Sequence, residues 1–435
     1  MIKGKRINRV TPRIICFELH EGDPMASDST TSLIEKLDRS MPVAPLAIIA
    51  MPSAAPMGEK VNQHISSFRK ESLKKDPSLS DRDHYIEDNY LMDIHLERFP
   101  SGEGRAVLRE SARGKDVFIL VDVMNWTVTY RMNGFINHMS PDDHFQDLKR
   151  VISAIQGKAR RVTVIMPFLY EGRQHHRSSR ESLDAANMLH ELFELGINNF
   201  ITFDAHDPRI ASVAPLDNFD NFVSPFQFLH ALLNTVDDLE VDKEHVVVIS
   251  PDEGALDRTV YFANVIGADT GMFYKRRDYS RIVNGKNPIV EHQFLGTNLA
   301  GKDAIIIDDM ISSGGSMLDT SRQLKENMHA GRVFICTTFG LFTDGLEAFD
   351  RAYGEGWFDK LVTTNLTYLP EGLRERPYFA EADMSMYLAT IIDFFNHDAS
   401  ISNVRITAQK IQELLAEYNR FEKKAMHDEE YNNHM

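Results

Sequence analysis

The strongest indication of fold in this sequence is the stretch Ile305-Ile306-Ile307-Asp308-Asp309-Met310-Ile311-Ser312-Ser313-Gly314-Gly315-Ser316-Met317. An apolar run that ends in two acids leads into a loop of small residues, and residues 318–328 continue with apolar side chains at helical spacing. In an open parallel sheet, ligands bind beyond the carboxyl ends of the strands, where a helix N-terminus offers unpaired N–H groups to an anion. The stretch therefore predicts a strand, an anion-binding loop and a helix of an α/β sheet.

The residue types in this loop suit a sugar phosphate. Gly314 and Gly315 let backbone amides approach a phosphate, and three hydroxyls can donate to its oxygens, those of Ser312, Ser313 and Ser316. Asp308 and Asp309 would face the sugar, because carboxylates accept hydrogen bonds from vicinal hydroxyls and can also hold a magnesium ion. The alternative is an ordinary strand-to-helix turn with serine caps. A Walker loop is excluded because no lysine follows the glycines.

Composition limits the classes of function. With 435 residues and 43% hydrophobic content, the chain is long enough for two domains. A net charge of −16 argues against a duplex-binding surface, so we expect no nucleic-acid partner. Cys16 and Cys336 match no zinc or redox spacing, so we expect a reducing, cytoplasmic location. The uncharged run 41–57 is short and interrupted by prolines, so we expect no membrane span. The basic residues near the N-terminus are not followed by a continuous apolar stretch, so we expect no signal peptide.

Short runs rich in Val and Ile alternate with amphipathic stretches, as buried parallel strands alternate with helices. We predict strands at 46–50, 117–121, 162–166, 200–203, 246–249, 271–274, 304–307 and 332–337, and helices at 145–155 and 182–195. The succession runs twice and indicates an α/β fold with two doubly wound domains and mostly parallel sheets. The predicted divisions are an extension at 1–44, domains at 45–228 and 229–398, and a helical tail at 399–435. The apolar face of the tail would pack on its own domain or form an oligomer contact.

The stretch 305–317 resembles the phosphoribosyl pyrophosphate-binding motif of phosphoribosyltransferases and ribose-phosphate pyrophosphokinases. That motif reads apolar strand, Asp-Asp, two residues, Asp-Thr-Gly-Gly-Thr. Here Ser312 replaces its third acid, and Ser313 and Ser316 replace its threonines. The resemblance implies two phosphoribosyltransferase-type domains. It also implies that ribose 5-phosphate binds to Asp308, Asp309 and residues 312–316.

Two further segments resemble the pyrophosphokinase and occur in its order. Phe99-Pro100-Ser101-Gly102-Glu103 is similar to its Phe-x-Asp-Gly-Glu loop, with Ser101 in place of the Asp. Arg113-Gly114-Lys115-Asp116-Val117-Phe118 matches the family's approach to the next strand. The resemblance implies that Phe99 stacks on adenine, and that Phe99 and Glu103 complete the ATP site of a neighbouring subunit.

A third segment, Arg173 with Gln174, looks like the family's nucleotide loop. The resemblance implies that Arg173 binds ATP phosphates, a task that suits the planar guanidinium fork. His175 stands where the family has an Asp, and further basic residues follow it. Taken alone, the segment would be a solvated basic loop.

The remaining resemblances concern metal binding and catalysis. Asp204 and His206 are similar to the family's Asp-x-His, and with Asp252, at the end of a later strand, they would hold Mg²⁺ with the nucleotide. Lys275 and Arg277 look like the start of a mobile catalytic loop that continues over 278–298. Their charges would stabilise the transferring phosphates. As a charge run alone, this segment would be solvated surface.

Together the resemblances imply transfer of the diphosphoryl group of MgATP to the anomeric hydroxyl of ribose 5-phosphate, giving phosphoribosyl pyrophosphate and AMP. They also imply a homo-oligomer built from dimers, up to a hexamer. Two alternatives remain. A phosphoribosyltransferase would share the loop but needs only one such domain. A non-catalytic regulatory homologue is favoured by Ser101, His175 and Ser312, each replacing a family Asp, whereas Lys275 and Arg277 argue against it.

Overall fold

The computed structural model describes residues 41–81, 85–177, 179–277, 289–403 and 408–433, without the side chains of 275–277, 289–292, 403 and 421–433. Most of the predicted N-terminal extension therefore lies outside the described residues. Among the described helices, none combines the length and apolar character needed to cross a membrane.

The first half of the chain builds a five-stranded sheet in which all pairs are parallel, in the order β1-β4-β7-β8-β9. Two antiparallel hairpins, β2–β3 and β5–β6, stand beside it. The elements in chain order are β1 (Leu46–Ala50), α1 (Ala55–Lys75), β2 (Ile94–Arg98), β3 (Gly104–Leu108), β4 (Asp116–Leu120), β5 (Thr129–Met132), β6 (Phe135–His138), α2 (Pro141–Ile155), β7 (Arg161–Ile165), α3 (Asp184–Glu194), β8 (Asn199–Phe203) and β9 (Asn218–Phe222).

The second half builds a seven-stranded sheet in the order β12-β11-β10-β13-β14-β15-β16. Its pairs are parallel except at one edge, where β12 runs antiparallel to β11. The elements are α4 (Pro225–Thr235), β10 (Val246–Ser250), α5 (Leu256–Ile266), β11 (Asp269–Arg277), β12 (Ile289–Gly296), β13 (Asp303–Ile311), α6 (Gly315–Glu326), β14 (Val333–Gly340), α7 (Glu347–Gly354), β15 (Lys360–Thr364), β16 (Phe379–Ala382), α8 (Ser385–Asn396) and α9 (Ala408–Asn433).

The predicted fold class is confirmed. Each of the eight predicted strands is a strand, because an apolar run buried by helices on both faces leaves a clear signal in sequence. Helix α2 begins at Pro141, earlier than predicted. Ser140 accepts a hydrogen bond from the Asp143 amide and the Asp143 side chain accepts one in return, forming a capping box with proline in the first turn.

Helix α8 differs from the predicted division of the chain. Its residues fall within the predicted second domain, yet its apolar side chains are buried with those of the first sheet, including Leu388 and Ile392. Arg69 of α1 is buried and donates to Oδ1 of Asp393 from Nε and Nη2, at 3.1 and 2.9 Å. Its Nη2 also donates to Asn396 at 2.7 Å. The first core is therefore completed by a segment from the far end of the chain.

Helix α9 packs on the second domain. Its apolar face is buried against α4 and α5, and the buried residues are Ile411, Leu414, Leu415 and Tyr418. The side chain of Gln412 donates to the backbone oxygen of Val265 on α5. Of the two alternatives for this segment, packing on its own domain is the arrangement seen.

Asp122, just beyond β4, is a buried contact between the domains. Its carboxylate accepts the N–H of Met124 at 2.9 Å and that of Tyr368, from the second domain, at 2.6 Å. Burial raises the pKa of Asp122 to about 7, although both backbone hydrogen bonds act in the opposite direction.

Candidate active site

The two adjacent acids lie within a long strand. The sequence predicts that the strand ends before Asp308, but β13 continues to Ile311 because its pairing with β14 extends to Gly340. The Asp309 side chain is buried, and Oδ1 of Asp308 accepts the N–H of Asp309 at 2.9 Å. Both carboxylates are thus set by strand backbone at the carboxyl side of the sheet, where ligands of α/β proteins bind.

One cation, Arg258 of α5, contacts three carboxylates. Its Nη1 lies 3.0 Å from Oδ1 of Asp309 and 3.3 Å from Oδ1 of Asp308. Its Nε lies 3.6 Å from Oδ1 of Asp204, which follows β8 of the first domain. The Arg258 side chain is only 16% exposed, so these ion pairs are shielded from water. We call Arg258, Asp204, Asp308 and Asp309 the carboxylate cluster.

Two further hydrogen bonds join the domains at this cluster. Nδ1 of His206 donates to Oδ2 of Asp309 at 2.7 Å, and Oγ1 of Thr338 on β14 donates to Oδ2 of Asp204 at 2.8 Å. Asp204 has a positive φ of 40°, a conformation that is uncommon for residues other than glycine. The predicted residues Asp204, His206, Asp308 and Asp309 are therefore brought together, although they come from different domains.

The pKa values of the two adjacent acids are shifted in opposite directions. Burial and the neighbouring Asp309 charge raise the pKa of Asp308. Burial also acts against ionisation of Asp309, but the His206 hydrogen bond and the Arg258 charge outweigh it and lower its pKa to about 2. The Asp309 hydrogen bond raises the pKa of His206. Burial raises the pKa of Asp204 despite the Arg258 charge. The site therefore holds one firmly ionised carboxylate beside others whose charge is costly.

The loop between β13 and α6 leads into a helix N-terminus without a side-chain cap. Gly314 precedes the helix with φ +85°, and no side chain caps the helix N-terminus, so the alternative of an ordinary turn with serine caps is not what the structure shows. Ser313, Gly315 and Ser316 are exposed, whereas Met317 and the next residue anchor the helix in the core. Free N–H groups and exposed hydroxyls therefore meet at one helix end.

The three predicted magnesium ligands are not gathered around one point. Within the described residues, the ligand atoms of Asp204, His206 and Asp252 do not all lie within 4.8 Å of one another. Both oxygens of Asp204 already contact Arg258 or Thr338. Oδ1 of Asp252 accepts the N–H of Gly254 at 3.0 Å. Asp252 still belongs to this edge, since its charge contributes to the raised pKa of Asp308.

The predicted nucleotide loop lies beside the cluster. Arg173 and His206 line one small cleft, together with Met310 of β13 and Phe339 of β14. Gln174 donates to the backbone oxygen of Ser182 at 3.2 Å, a contact within its own loop. His175, which replaces a family Asp, has Nε2 3.0 Å from Oδ2 of Asp207, and its ring lies edge-on to that of His206 with centroids 5.8 Å apart.

The predicted adenine loop forms the turn of the β2–β3 hairpin. The backbone N–H of Phe99 donates to the backbone oxygen of Glu103 at 2.7 Å and closes the turn. The Ser101 hydroxyl donates to the Glu103 carboxylate at 2.8 Å. Phe99 is 44% exposed. The turn is supported by the β5–β6 hairpin, because the Asn133 amide donates to the Pro100 oxygen at 2.9 Å.

Lys275 and Arg277 lie on β11, and their side chains fall outside the described part of the chain. The predicted mobile loop 278–298 is wrong over part of its length, because Ile289–Gly296 forms β12 along the edge of the sheet. Arg258 and Thr338 were missed from sequence. A cation close behind a strand end, in a region with an excess of acids, was the available signal for Arg258.

The chain matches two family models. One describes the N-terminal domain of ribose phosphate pyrophosphokinase and matches residues 46–196. The other describes the phosphoribosyl transferase domain and matches residues 229–349. The first match thus includes β1, β4 and β7 of the first sheet, and the second includes β10 to β14 of the second sheet.

Curated relatives and a solved structure agree with these matches. Ribose-phosphate pyrophosphokinase from Synechococcus elongatus is 26% identical over 312 residues, which cover 71% of this chain and 84% of the relative. The Pasteurella multocida enzyme is 27% identical over 318 residues, covering 72% and 90%. The crystal structure of phosphoribosylpyrophosphate synthetase from Mycobacterium smegmatis superposes with a TM-score of 0.62 at 19% identity, covering 81% of this chain and 99% of the other, which shows the fold. The chain belongs to the ribose-phosphate pyrophosphokinase family.

Proposed function

We propose that this chain is a ribose-phosphate diphosphokinase, which transfers the β,γ-diphosphoryl group of ATP to the anomeric hydroxyl of ribose 5-phosphate. The observation that carries the proposal is the junction of two half-sites. Asp308, Asp309 and an uncapped helix N-terminus in the second domain meet Asp204 and His206 of the first domain. A phosphoribosyltransferase would use one such domain, so the two joined domains favour the diphosphokinase.

In this proposal the second domain binds the sugar phosphate. The amides of Gly315 and Ser316, with the exposed hydroxyls of Ser313 and Ser316, bind the 5-phosphate at the positive end of α6. Asp309 is ionised through His206 and Arg258, and because each carboxylate oxygen can accept a second hydrogen bond, it also accepts from the ribose hydroxyls. Asp308 is the second acceptor. Gly314 and Ser312 shape the turn between the strand and the helix.

The first domain binds the nucleotide. Arg173 faces the cleft shared with His206 and binds phosphate oxygens through its guanidinium fork. Gln174 supports that loop. Phe99 stacks on adenine and Glu103 completes the same pocket, in the neighbouring subunit of a homo-oligomer. The exposure of Phe99 at the tip of a hairpin suits such a contact with another copy of the chain.

The residues at this edge fit a magnesium ion that binds with the triphosphate. Mg²⁺ in phosphotransfer sites takes one or two carboxylates together with substrate oxygens, so a closed protein cage is not required. Asp252 and His206 are the proposed ligands, whereas Asp204 is engaged by Arg258 and Thr338 and is better assigned to the domain contact. When bound, Mg²⁺ neutralises the triphosphate and polarises its oxygens.

The reaction forms a bond between the C1 oxygen of the sugar and the β-phosphorus of ATP. The bond from that phosphorus to the bridging oxygen of the α-phosphate breaks, the C1 hydroxyl releases its proton to solvent, and AMP leaves. Alignment of the two substrates across the domain junction supplies much of the rate. Lys275 and Arg277 stabilise the charge that develops on the transferring and leaving oxygens.

A non-catalytic regulatory homologue is the second candidate. It is supported by Ser101, His175 and Ser312, each standing where the family motif has an Asp. The hydrogen bond from Ser101 to Glu103 and the contact of His175 with Asp207 show that two of these replacements have partners of their own.

We propose a cytoplasmic location. We also propose domains close to 45–228 and 229–398, with helix α8 assigned to the first domain.

The test is AMP release from MgATP by the purified protein, with and without ribose 5-phosphate, with the sugar product identified by mass spectrometry. Ribose-dependent AMP together with phosphoribosyl pyrophosphate supports the diphosphokinase. A folded protein that binds either substrate but gives no turnover across donors and phosphate concentrations is instead the regulatory homologue.

A further inference from the structure

Arg258 is a charged side chain at the domain junction that neither the motif nor the proposed substrate contacts assign. We propose that Arg258 is a positioning residue, which fixes Asp308 and Asp309 in the geometry that accepts the ribose hydroxyls and ties them to Asp204 of the other domain. This inference rests on the proposed function for the identity of the sugar. The cluster itself rests on geometry.

The arrangement is asymmetric, with one cation for three acids. The single nitrogen Nη1 serves both Asp308 and Asp309, at 3.3 and 3.0 Å, while Nε is directed to Asp204 at 3.6 Å. Two adjacent carboxylates on a buried strand repel each other, and burial penalises the charge on each of them. Arg258 is the cation that contacts all three acids among the described ion pairs, so it offsets both costs.

The shape of the guanidinium matters as well as its charge. Its nitrogens are fixed in one plane, so contact with Asp204 on one side restricts where Nη1 can lie for Asp308 and Asp309. A lysine ammonium is a single point charge on a flexible stem and cannot reach both sides in the same way. Thr338 holds the other oxygen of Asp204, so Asp204 is itself fixed. The cluster therefore transmits the position of the first domain to the sugar-binding acids.

This geometry also assigns a different role to Asp204. The resemblance makes it a metal ligand, but its oxygens face Arg258 and Thr338. Asp204 then acts on the sugar site through Arg258, and its loss weakens ribose 5-phosphate binding more than it weakens the response to Mg²⁺. The effects of removing Asp204 and Arg258 are expected to be non-additive, because both variants break the same contact.

The experiment measures ribose 5-phosphate binding by calorimetry, and the KM values of both substrates, for Arg258→Lys and Arg258→Met. The matched control is Arg332→Met, since Arg332 pairs with Asp303 at 2.6 Å at the opposite end of β13. We expect at least about tenfold weaker ribose 5-phosphate binding for both Arg258 variants, a modest part of the cost of breaking a buried ion pair. The KM for ATP should change less than about twofold, which is within 0.5 kcal/mol. Arg332→Met should retain its affinity for ribose 5-phosphate, even where the substitution lowers its thermal stability.

The outcomes separate this inference from the proposed function. If the unaltered protein does not bind ribose 5-phosphate, the proposed function fails. If it binds the sugar phosphate and Arg258→Lys binds it equally well, the positioning role is rejected. Equal losses for ribose 5-phosphate and ATP also reject that role, since they indicate general damage. Should Arg258→Met not fold, Arg258→Lys and the double variant with Asp204→Asn still decide, because full additivity in that cycle contradicts the shared contact.

Discussion

Nδ1 of His206 lies 2.7 Å from Oδ2 of Asp309, and this hydrogen bond joins the first domain to the sugar-binding strand of the second. His206 is 41% exposed, whereas Asp309 is almost fully buried, so the imidazole connects the buried carboxylate to the open side of the junction. A residue assigned to the metal and nucleotide therefore also touches a residue assigned to the sugar.

We expect His206→Ala to impair both halves of the site. Loss of a hydrogen bond to a charged group costs about 1.5–3 kcal/mol, so the KM for ribose 5-phosphate should rise roughly tenfold or more. The Mg²⁺ concentration for half-maximal rate should rise as well. His245→Ala is the control, because His245 makes a similar contact with Asp242, at 2.8 Å, on the exposed surface. A change in Mg²⁺ response with unchanged sugar KM would contradict coupling through Asp309.

Gly314→Ala should destabilise the protein at the loop before α6. A Cβ at this position would overlap Cζ of the fully buried Phe349, and φ is +85°. The left-handed conformation costs an alanine about 1–2 kcal/mol, and overpacking adds about 1–3 kcal/mol. Gly301→Ala is the control, because its φ is +79° with no atom within 4 Å of the new Cβ. Thermal denaturation should show a larger loss of stability for Gly314→Ala; equal losses would mean that Phe349 moves aside.

Phe99→Ala should weaken ATP binding without changing stability. Base stacking on an aromatic ring contributes about 1–3 kcal/mol, so the KM for ATP should rise by roughly five- to 150-fold. Phe135→Ala is the control, since Phe135 is 72% exposed on the neighbouring hairpin. If Phe99 acts in another subunit, mixing Phe99→Ala with Arg173→Ala should restore part of the activity. No restoration in mixed oligomers would place Phe99 in the site of its own chain.

Asp122 should make stability depend on pH. Burial raises its pKa to about 7 from 3.8, so the folded state binds the proton more tightly than the unfolded chain. Its stabilising contribution is complete below pH 3.8 and is lost as pH rises towards 7. Compared with Asp122→Asn, the free energy of unfolding of the unaltered protein should fall by at most about 1.4 kcal/mol per pH unit across this window. Chemical denaturation at several pH values measures it; a difference that is constant with pH would show that Asp122 stays ionised.

The parallel strands were predictable because burial on both faces leaves unbroken apolar runs. The stretch from Ala304 to Ile307 is such a run, and in the structure it is fully enclosed. The β5–β6 hairpin was not predictable in this way, since Phe135 and Ile136 are exposed although apolar, and no alternating pattern marks the pair. Strand β12 was missed because an edge strand carries little core signal.

The parts of the site formed by consecutive residues were predictable, whereas contacts between residues far apart in the sequence were not. Asp308, Asp309 and the glycines are consecutive, so their order alone indicates a phosphate loop. The approach of His206 to Asp309 depends on how two domains pack, and so does the contact of Arg258 with Asp204. No pattern in the sequence links Asp204 to Thr338, which are 134 positions apart.

The late position of helix α8 in the chain has a consequence for folding during synthesis. The ribosome releases the N-terminal sheet first, yet the buried partners of Arg69, Asp393 and Asn396, are among the last structured residues to be made. Until they emerge, the apolar surface that α8 covers stays exposed and Arg69 lacks the carboxylate with which it pairs. The core of the first domain is therefore complete only after α8 has been synthesised. We expect a nascent chain stopped before Ser385 to bind chaperones rather than to fold as an independent domain.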